Sequence, residues 1–191
     1  PYRHIYQWKI ADYIDDLEYY LRNRRERDQQ PEEEVVWHCL RMENRMNLPW
    51  TTAPAEIVKE GNILGQDTLT YTPSKGESTL RITRAVSVKA EQVEYETERE
   101  RGAKKLYGYE YDLVTVKGEL SVRNFQEKAI PLEIEKILTG EVQNSEPEAK
   151  VVKLARGLRR ANPRNEVSWT VKLGPDEQKE LNYTYEVYIR Q

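Results

Sequence analysis

Cysteine is nearly absent: Cys39 is the single one in 191 residues. That excludes an internal disulfide, so the fold must hold by packing. Soft metal ligands are equally scarce, because His4 and His38 are the only histidines. His38 and Cys39 are adjacent in an extended segment, so they point to opposite faces and cannot chelate together. No CxxC or HExxH spacing occurs, and neither does a Walker-type or GxGxxG loop; "GNILGQ" has the wrong spacing. A GxSxG elbow is missing too, and a Cys–His dyad could arise only between Cys39 and His4. No apolar run approaches the roughly 20 residues that span a bilayer, and no secretory leader is visible. The chain begins at Pro1 without Met, which points to a fragment or a processed form. Net charge is −3, which argues against an electrostatic nucleic-acid binder.

Charged residues make up 33% and hydrophobic ones 38%. The apolar residues fall in periodic runs, which predicts a folded chain and not a disordered one. Tyr6, Ile10, Tyr13, Ile14, Leu17, Tyr20 and Leu21 recur at spacings of three and four. This predicts a helix over 6–27 with a packing face. Its acidic start (Asp15, Asp16, Glu18) and basic end (Arg22, Arg24, Arg25, Arg27) suit a helix dipole. "RDQQPEEE" around Pro31 reads as a linker. Residues 1–30 are therefore expected to form a helix and linker, and residues 31–191 a β region. That region is either one unit or two packed subdomains, about 31–103 and 104–191.

From Val35 onward the period changes to two. "VVWHCLRM" has apolar residues on both faces, as a central strand does. "NLPWTTAP" is a proline-punctuated loop that Trp50 is expected to pin. In residues 79–101 the apolar positions are even up to Ala90 and odd from Val93. In residues 104–124 they are odd up to Leu113 and even from Val114. A hairpin turning at Gly102 pairs Val93 with Tyr111 and Tyr95 with Tyr109, and brings both parity changes to one level. This predicts a long bent ribbon whose buried face switches sides at bulges. "AIPLEIEKIL" is a strand whose Pro131 marks an edge or a start. A helical turn is expected around 151–158. "VSWTVKL" and "ELNYTYEVYI" read as a closing hairpin across Gly174 to Gln178, with Trp169 opposite Tyr185. The overall expectation is an N-terminal helix and an antiparallel β-sandwich, immunoglobulin-like or related.

Three groups of side chains are candidates for chemistry. Glu94, Glu96, Glu98 and Glu100 alternate, so an ideal strand places them on one face about 7 Å apart. Such carboxylates can hold a cation or work as acid and base; a solvated face is the plainer reading. Lys150, Lys153, Arg156, Arg159, Arg160 and Arg164 form a basic segment suited to an acidic partner. Trp8, Trp50 and the tyrosines at 107–111 could stack on sugar rings. Asn182 begins an N-x-T sequon, but inside a strand.

At the tail, "SVRNFQEKAIPLEIEKILTGEV" and "LRRANPRNEVSWTVKLGPDEQKELNYTYEVYI" resemble the domain of unknown function found at the C-terminus of mucoidy-inhibitor-A-type bacterial proteins. "NLPWTTAPAEI" and "LTYTPSKGE" look like a form of the same family. The family's turn pattern is Leu-x-Pro-Gly-Glu; here Asp176 stands in place of the glycine. The resemblance implies a β-sandwich in a bacterial envelope or surface-polysaccharide context and carries over no catalytic residue.

These readings lead to a non-catalytic interaction or scaffold module of a larger bacterial protein, without cofactor, metal or nucleic-acid partner. Its contacts would run through Tyr13, Leu17 and Tyr20 of the helix, through Trp50, through Arg156, Arg159 and Arg160, or through strand edges. Its partner would be another protein or a second copy. A carbohydrate-binding module and a carboxylate enzyme are the alternatives.

Overall fold

The computed structural model describes residues 2–12, 35–106, 108–155 and 161–191. These form twelve strands: β1 (Tyr2–Ile10), β2 (Val36–Glu43), β3 (Ala53–Lys59), β4 (Asn62–Leu69), β5 (Glu77–Arg84), β6 (Val88–Leu106), β7 (Tyr109–Asn124), β8 (Ile130–Thr139), β9 (Glu141–Glu146), β10 (Lys150–Ala155), β11 (Arg164–Leu173) and β12 (Gln178–Arg190). The six-stranded sheet has the order β10-β11-β8-β1-β2-β5, the four-stranded sheet β6-β7-β12-β9, and β3 pairs with β4 alone. The protein is mainly β, and every pairing is antiparallel except that of β1 with β8.

No helix occurs among the described residues. The segment expected to open one, Tyr6 to Ile10, is the second half of β1. The spacing of Tyr6 and Ile10 fits both periods. What decides is that Trp8, which the helical stripe leaves out, has no exposed surface. Tyr6, Trp8 and Ile10 alternate into the core, while Ile5 and Gln7 are buried on the opposite face. Two inward positions of a strand that lie four residues apart also match a helical stripe, so a short window of β1 mimics a helix. Tyr13, Leu17 and Tyr20 lie outside the described residues, as do Arg156, Arg159 and Arg160. The helical turn expected at 151–158 is also corrected, because Lys150–Ala155 is β10.

The core draws on both larger sheets. Trp8, Ile134, Val167 and Trp169 come from the six-stranded one, and Val114, Leu120, Tyr183 and Val187 from the four-stranded one. Inner positions alternate strictly along β7, where the even residues from Asp112 to Asn124 are buried. The odd-numbered Tyr109, Tyr111 and Leu113 therefore face outward, and the buried face does not switch sides. The ribbon also differs in register from expectation. β6 pairs Val93 with Glu119 and Leu106 with Tyr109, so the turn lies five residues beyond Gly102. Two glycines compete for the turn. Gly108, at φ +83°, takes it, whereas Gly102, at φ +62°, sits in a register shift between Glu100 and Lys104. There its N–H donates to Asp112 Oδ1 at 3.0 Å. Upstream, β5 and β6 belong to different sheets, so the chain changes layer at Ala85 to Ser87.

The closing hairpin is corrected in the same way. β11 pairs with β8 and β10, and β12 pairs with β7 and β9. The segment from Gly174 to Glu177 thus carries the chain across the core from one sheet to the other. Trp169 meets Tyr183 between the layers, with ring centroids 5.8 Å apart. Asp176 holds φ +56°, a left-handed conformation that glycine adopts without cost. Pro131 marks a strand start and not an edge, since β8 lies between β11 and β1.

Gly118 leaves the space that Tyr183 fills: a Cβ there would sit 2.0 Å from Tyr183 Cζ. Gly118→Ala is expected to destabilise the fold by about 1–3 kcal/mol through overpacking. Urea unfolding followed by tryptophan fluorescence measures it, and an unchanged midpoint would contradict this packing.

Candidate functional site

Where β1 and β2 run past the core, their inner-facing side chains open onto a groove of about 520 Å³. Tyr2, His4 and Tyr6 come from β1, and His38 and Leu40 from β2. Ile57, Val58, Lys59 and Leu64 come from the β3–β4 hairpin and Ile82 from β5; the segment from Lys128 to Pro131 closes the rim. That size suits a small-molecule site.

Local devices hold each wall. Asn124, fully buried, donates from Nδ2 to the carbonyls of Lys128 (2.9 Å) and Gly174 (2.8 Å). Its Oδ1 accepts from the Gln126 N–H at 3.0 Å. One asparagine thereby shapes the turn that presents Lys128. Asn44, also fully buried, does the same for the loop before β3, donating to the carbonyls of Leu48 and Thr72 at 2.9 and 3.1 Å. Trp50 is half-buried and bridges Thr72 through paired backbone hydrogen bonds, so it ties down this loop. Asp67 on β4 accepts the Arg81 N–H of β5 at 2.7 Å, which seats the hairpin beside the sheet. Burial raises the Asp67 pKa, but the N–H groups of Arg81 and Thr68 and the Arg81 charge outweigh it and hold the carboxyl below its ordinary value.

The floor of the groove is a ladder of rings. His4 Nδ1 and His38 Nε2 are 2.9 Å apart, one donating and the other accepting. The His4 and His38 rings stack at 5.0 Å between centroids, and Tyr6 stacks on His38 at 4.9 Å and 12°. Tyr2 meets His4 edge-on at 5.8 Å. Burial lowers the His38 pKa, and the nearby His4 and Lys128 charges lower it further. Cys39 lies on the other face of β2, fully buried, with burial pushing its thiol up to about 11. The two histidines therefore meet each other and not the cysteine. Among the described residues, no three His, Cys, Asp or Glu side chains gather as metal ligands would.

The glutamate row is broken up. The β6 register shifts between Glu96 and Glu98. Glu96 pairs with Arg99 at 2.6 Å, whereas Glu94 turns inward. Its Oε1 accepts from the Tyr183 hydroxyl at 2.6 Å and lies 3.3 Å from Lys136 Nζ. Lys136 is 2% exposed, at a β8 position where alternation calls for an apolar residue. Burial and the Glu94 charge push the Tyr183 hydroxyl well above its ordinary range. Trp8 and Trp169 are buried, while Tyr109 and Tyr95 stand out on the outer face of the four-stranded sheet at 46% and 41% exposure. The basic segment's Lys153 pairs with Glu141 at 2.8 Å.

Two constellations escaped sequence reasoning: the His4–His38 pair and the Lys136–Glu94–Tyr183 cluster. The second had a signal, the lysine at an inward position. The first had none, since its partners are 34 residues apart. Comparison with protein-family models, curated proteins and solved structures found no match for this chain.

Removing one member of a buried ion pair leaves the other charge uncompensated, and the cost grows with how deeply that remaining charge is buried. Glu94→Ala takes the carboxylate away from a buried ammonium and is expected to cost up to about 3 kcal/mol, because Glu94 keeps some solvent contact. Lys136→Met leaves Glu94 with the Tyr183 hydroxyl and partial solvent contact, so it is expected to cost less than Glu94→Ala; denaturant midpoints of both variants check the order. His38 has a depressed folded pKa, so it binds fewer protons folded than unfolded below its ordinary value of 6.5. Its contribution is full above that pH and is lost as pH falls through the folded pKa. Thermal melts from about pH 8 to about pH 5 should therefore fall less steeply for His38→Phe than for the parent chain.

Proposed function

We propose that this chain is a non-catalytic recognition module, built as a β-sandwich and carried by a larger bacterial protein of the family that its tail resembles. The observation that carries this reading is the groove. The β3–β4 hairpin, which belongs to neither larger sheet, and one capped turn form walls around an open, ring-floored space. Meanwhile the interior ionisable groups are occupied with one another: Glu94 with Lys136 and Tyr183, and Glu133 with Arg41 through two bonds of 2.6 and 2.7 Å. A core fed from two sheets supports the sandwich description. The family resemblance gains support from two of its own motif positions. Asn124 of "VRN" is the buried residue that shapes the Lys128 turn. Asp176 occupies a left-handed position where the family pattern has glycine. The same resemblance implies an envelope setting.

Binding of surface polysaccharide is the second reading. It rests on Tyr109, with the Arg190 guanidinium 3.4 Å above its ring, and on Tyr95, with Lys117 at 5.7 Å.

N-phenylnaphthylamine, a neutral probe that brightens in apolar surroundings, tests the groove. The parent chain is expected to bind it, and Leu40→Gln to weaken binding by about tenfold, the equivalent of about 1.4 kcal/mol of lost apolar contact. A parent chain that leaves the probe dark would remove the groove as a binding site.

A further inference from the structure

We propose that the groove takes a small organic anion with an apolar body, its head group held by His4, His38 and Lys128 and its body by Leu40, Ile57 and Leu64, with the protonation of the histidine pair setting the affinity. This rests on the groove being a binding site, and it names the chemistry of the ligand.

Charge is the first argument. Among the described residues, the ionisable side chains lining the groove are His4, His38, Lys59, Lys128, Tyr2 and Tyr6, with no Asp or Glu. In a chain with 33 acidic residues and a net charge of −3, a cavity lined only by bases and phenols is a local reversal of sign. Neither Lys59 nor Lys128 has a carboxylate partner among the described residues, although ion pairs are plentiful on the outer faces. A cationic cleft with low-dielectric walls concentrates anions.

The histidine pair supplies the second argument. One proton bridges His4 and His38 across 2.9 Å. One proton added to the neutral pair charges one ring and can keep that bond; a second would set two imidazolium rings face to face beside Lys128. Burial and these two neighbours already disfavour the charged form of His38. An anion placed between the rings and Lys128 reverses the balance, so ligand and proton bind together. The groups facing the pair from each packed element are consistent with this. Tyr2 and Tyr6 lie on β1, Lys59 on β3 and Lys128 in the loop before β8, while β2, β4 and β5 present Leu40, Leu64 and Ile82. Among the described residues that line the groove, no acid competes for the proton.

The third argument is shape. Beside the already buried Ile57, the β3–β4 hairpin offers Val58, 54% exposed, and Leu64, 44% exposed. A ligand with only a charged head would leave this wall in water; an apolar body covers it.

The test compares N-phenylnaphthylamine with anilinonaphthalene sulfonate, which adds an anionic group to the same ring system. At about pH 5.5 the sulfonate is expected to bind at least about tenfold more tightly than the neutral probe, and this ratio should shrink several-fold by about pH 8. Lys128→Gln and His38→Gln should each lower the sulfonate's affinity more than the neutral probe's, and His38→Gln should flatten the pH dependence. Decanoate should displace the sulfonate at lower concentration than decanol. Equal affinities of the two probes at both pH values would overturn the anion assignment while leaving the groove a binding site. Failure of both probes would overturn the binding reading itself. Sulfonate binding indifferent to Leu40→Gln would place the dye elsewhere and overturn the assignment too.

Discussion

The inner faces of the six-stranded and four-stranded sheets are apolar on alternate residues, and each is too large to leave in water. Their closure on one shared core is the constraint from which the remaining geometry follows. Burying a large side chain contributes about 1.5–3 kcal/mol, and here Trp8, Leu120, Leu132, Ile134 and Leu173 are all buried to 1% exposure or less. The chain changes layer at Ala85 to Ser87 and again at Gly174 to Glu177 because each strand must bring its apolar face to the same interior. Strands adjacent in sequence, β5 and β6 or β11 and β12, thus end up in different sheets instead of pairing side by side.

The groove is a consequence of unequal lengths. β1 and β2 continue past the core, so the inner-face alternation that buries Trp8 and Val36 also points His4, His38 and Leu40 inward beyond it. The β3–β4 hairpin and the turn held by Asn124 close over that extension without filling it. The two imidazoles so placed stack with each other, with Tyr6 against His38 and Tyr2 edge-on to His4. The same logic explains Lys136. It occupies an inward position of β8, and its charge is tolerated because Glu94 and Tyr183 meet it from the other sheet.

Much of the strand content was legible. Alternation located β2, β8, β11 and β12, with β2 lying between two neighbours as a central strand does, and Asn124 and Pro131 fall at the end of β7 and the start of β8. Pairing was less legible, and for a physical reason. The expected hairpin at Gly102 relied on apolar residues facing apolar residues across neighbouring strands. The outward tyrosines of β7 carry the same signal as buried ones, because periodicity cannot distinguish a buried aromatic from an exposed one. The helix over 6–27 failed where it can be assessed because Tyr6 and Ile10, four residues apart, fit both periods, and the burial of Trp8 between them marks the strand.

Composition and spacing by themselves determined that this chain holds together without disulfides, that it is built mainly of strands, and that His38 and Cys39 part company across β2. These follow from local rules: one thiol cannot pair with itself within a chain, and successive residues of a strand face opposite ways. Only the tertiary structure decided which strands pair, which face of each is inside, and which distant side chains meet. His4 with His38, Glu94 with Lys136, and Trp169 with Tyr183 are all products of sheet closure. No local rule encodes that step, since the free energy that drives it belongs to the shared core and not to any one segment.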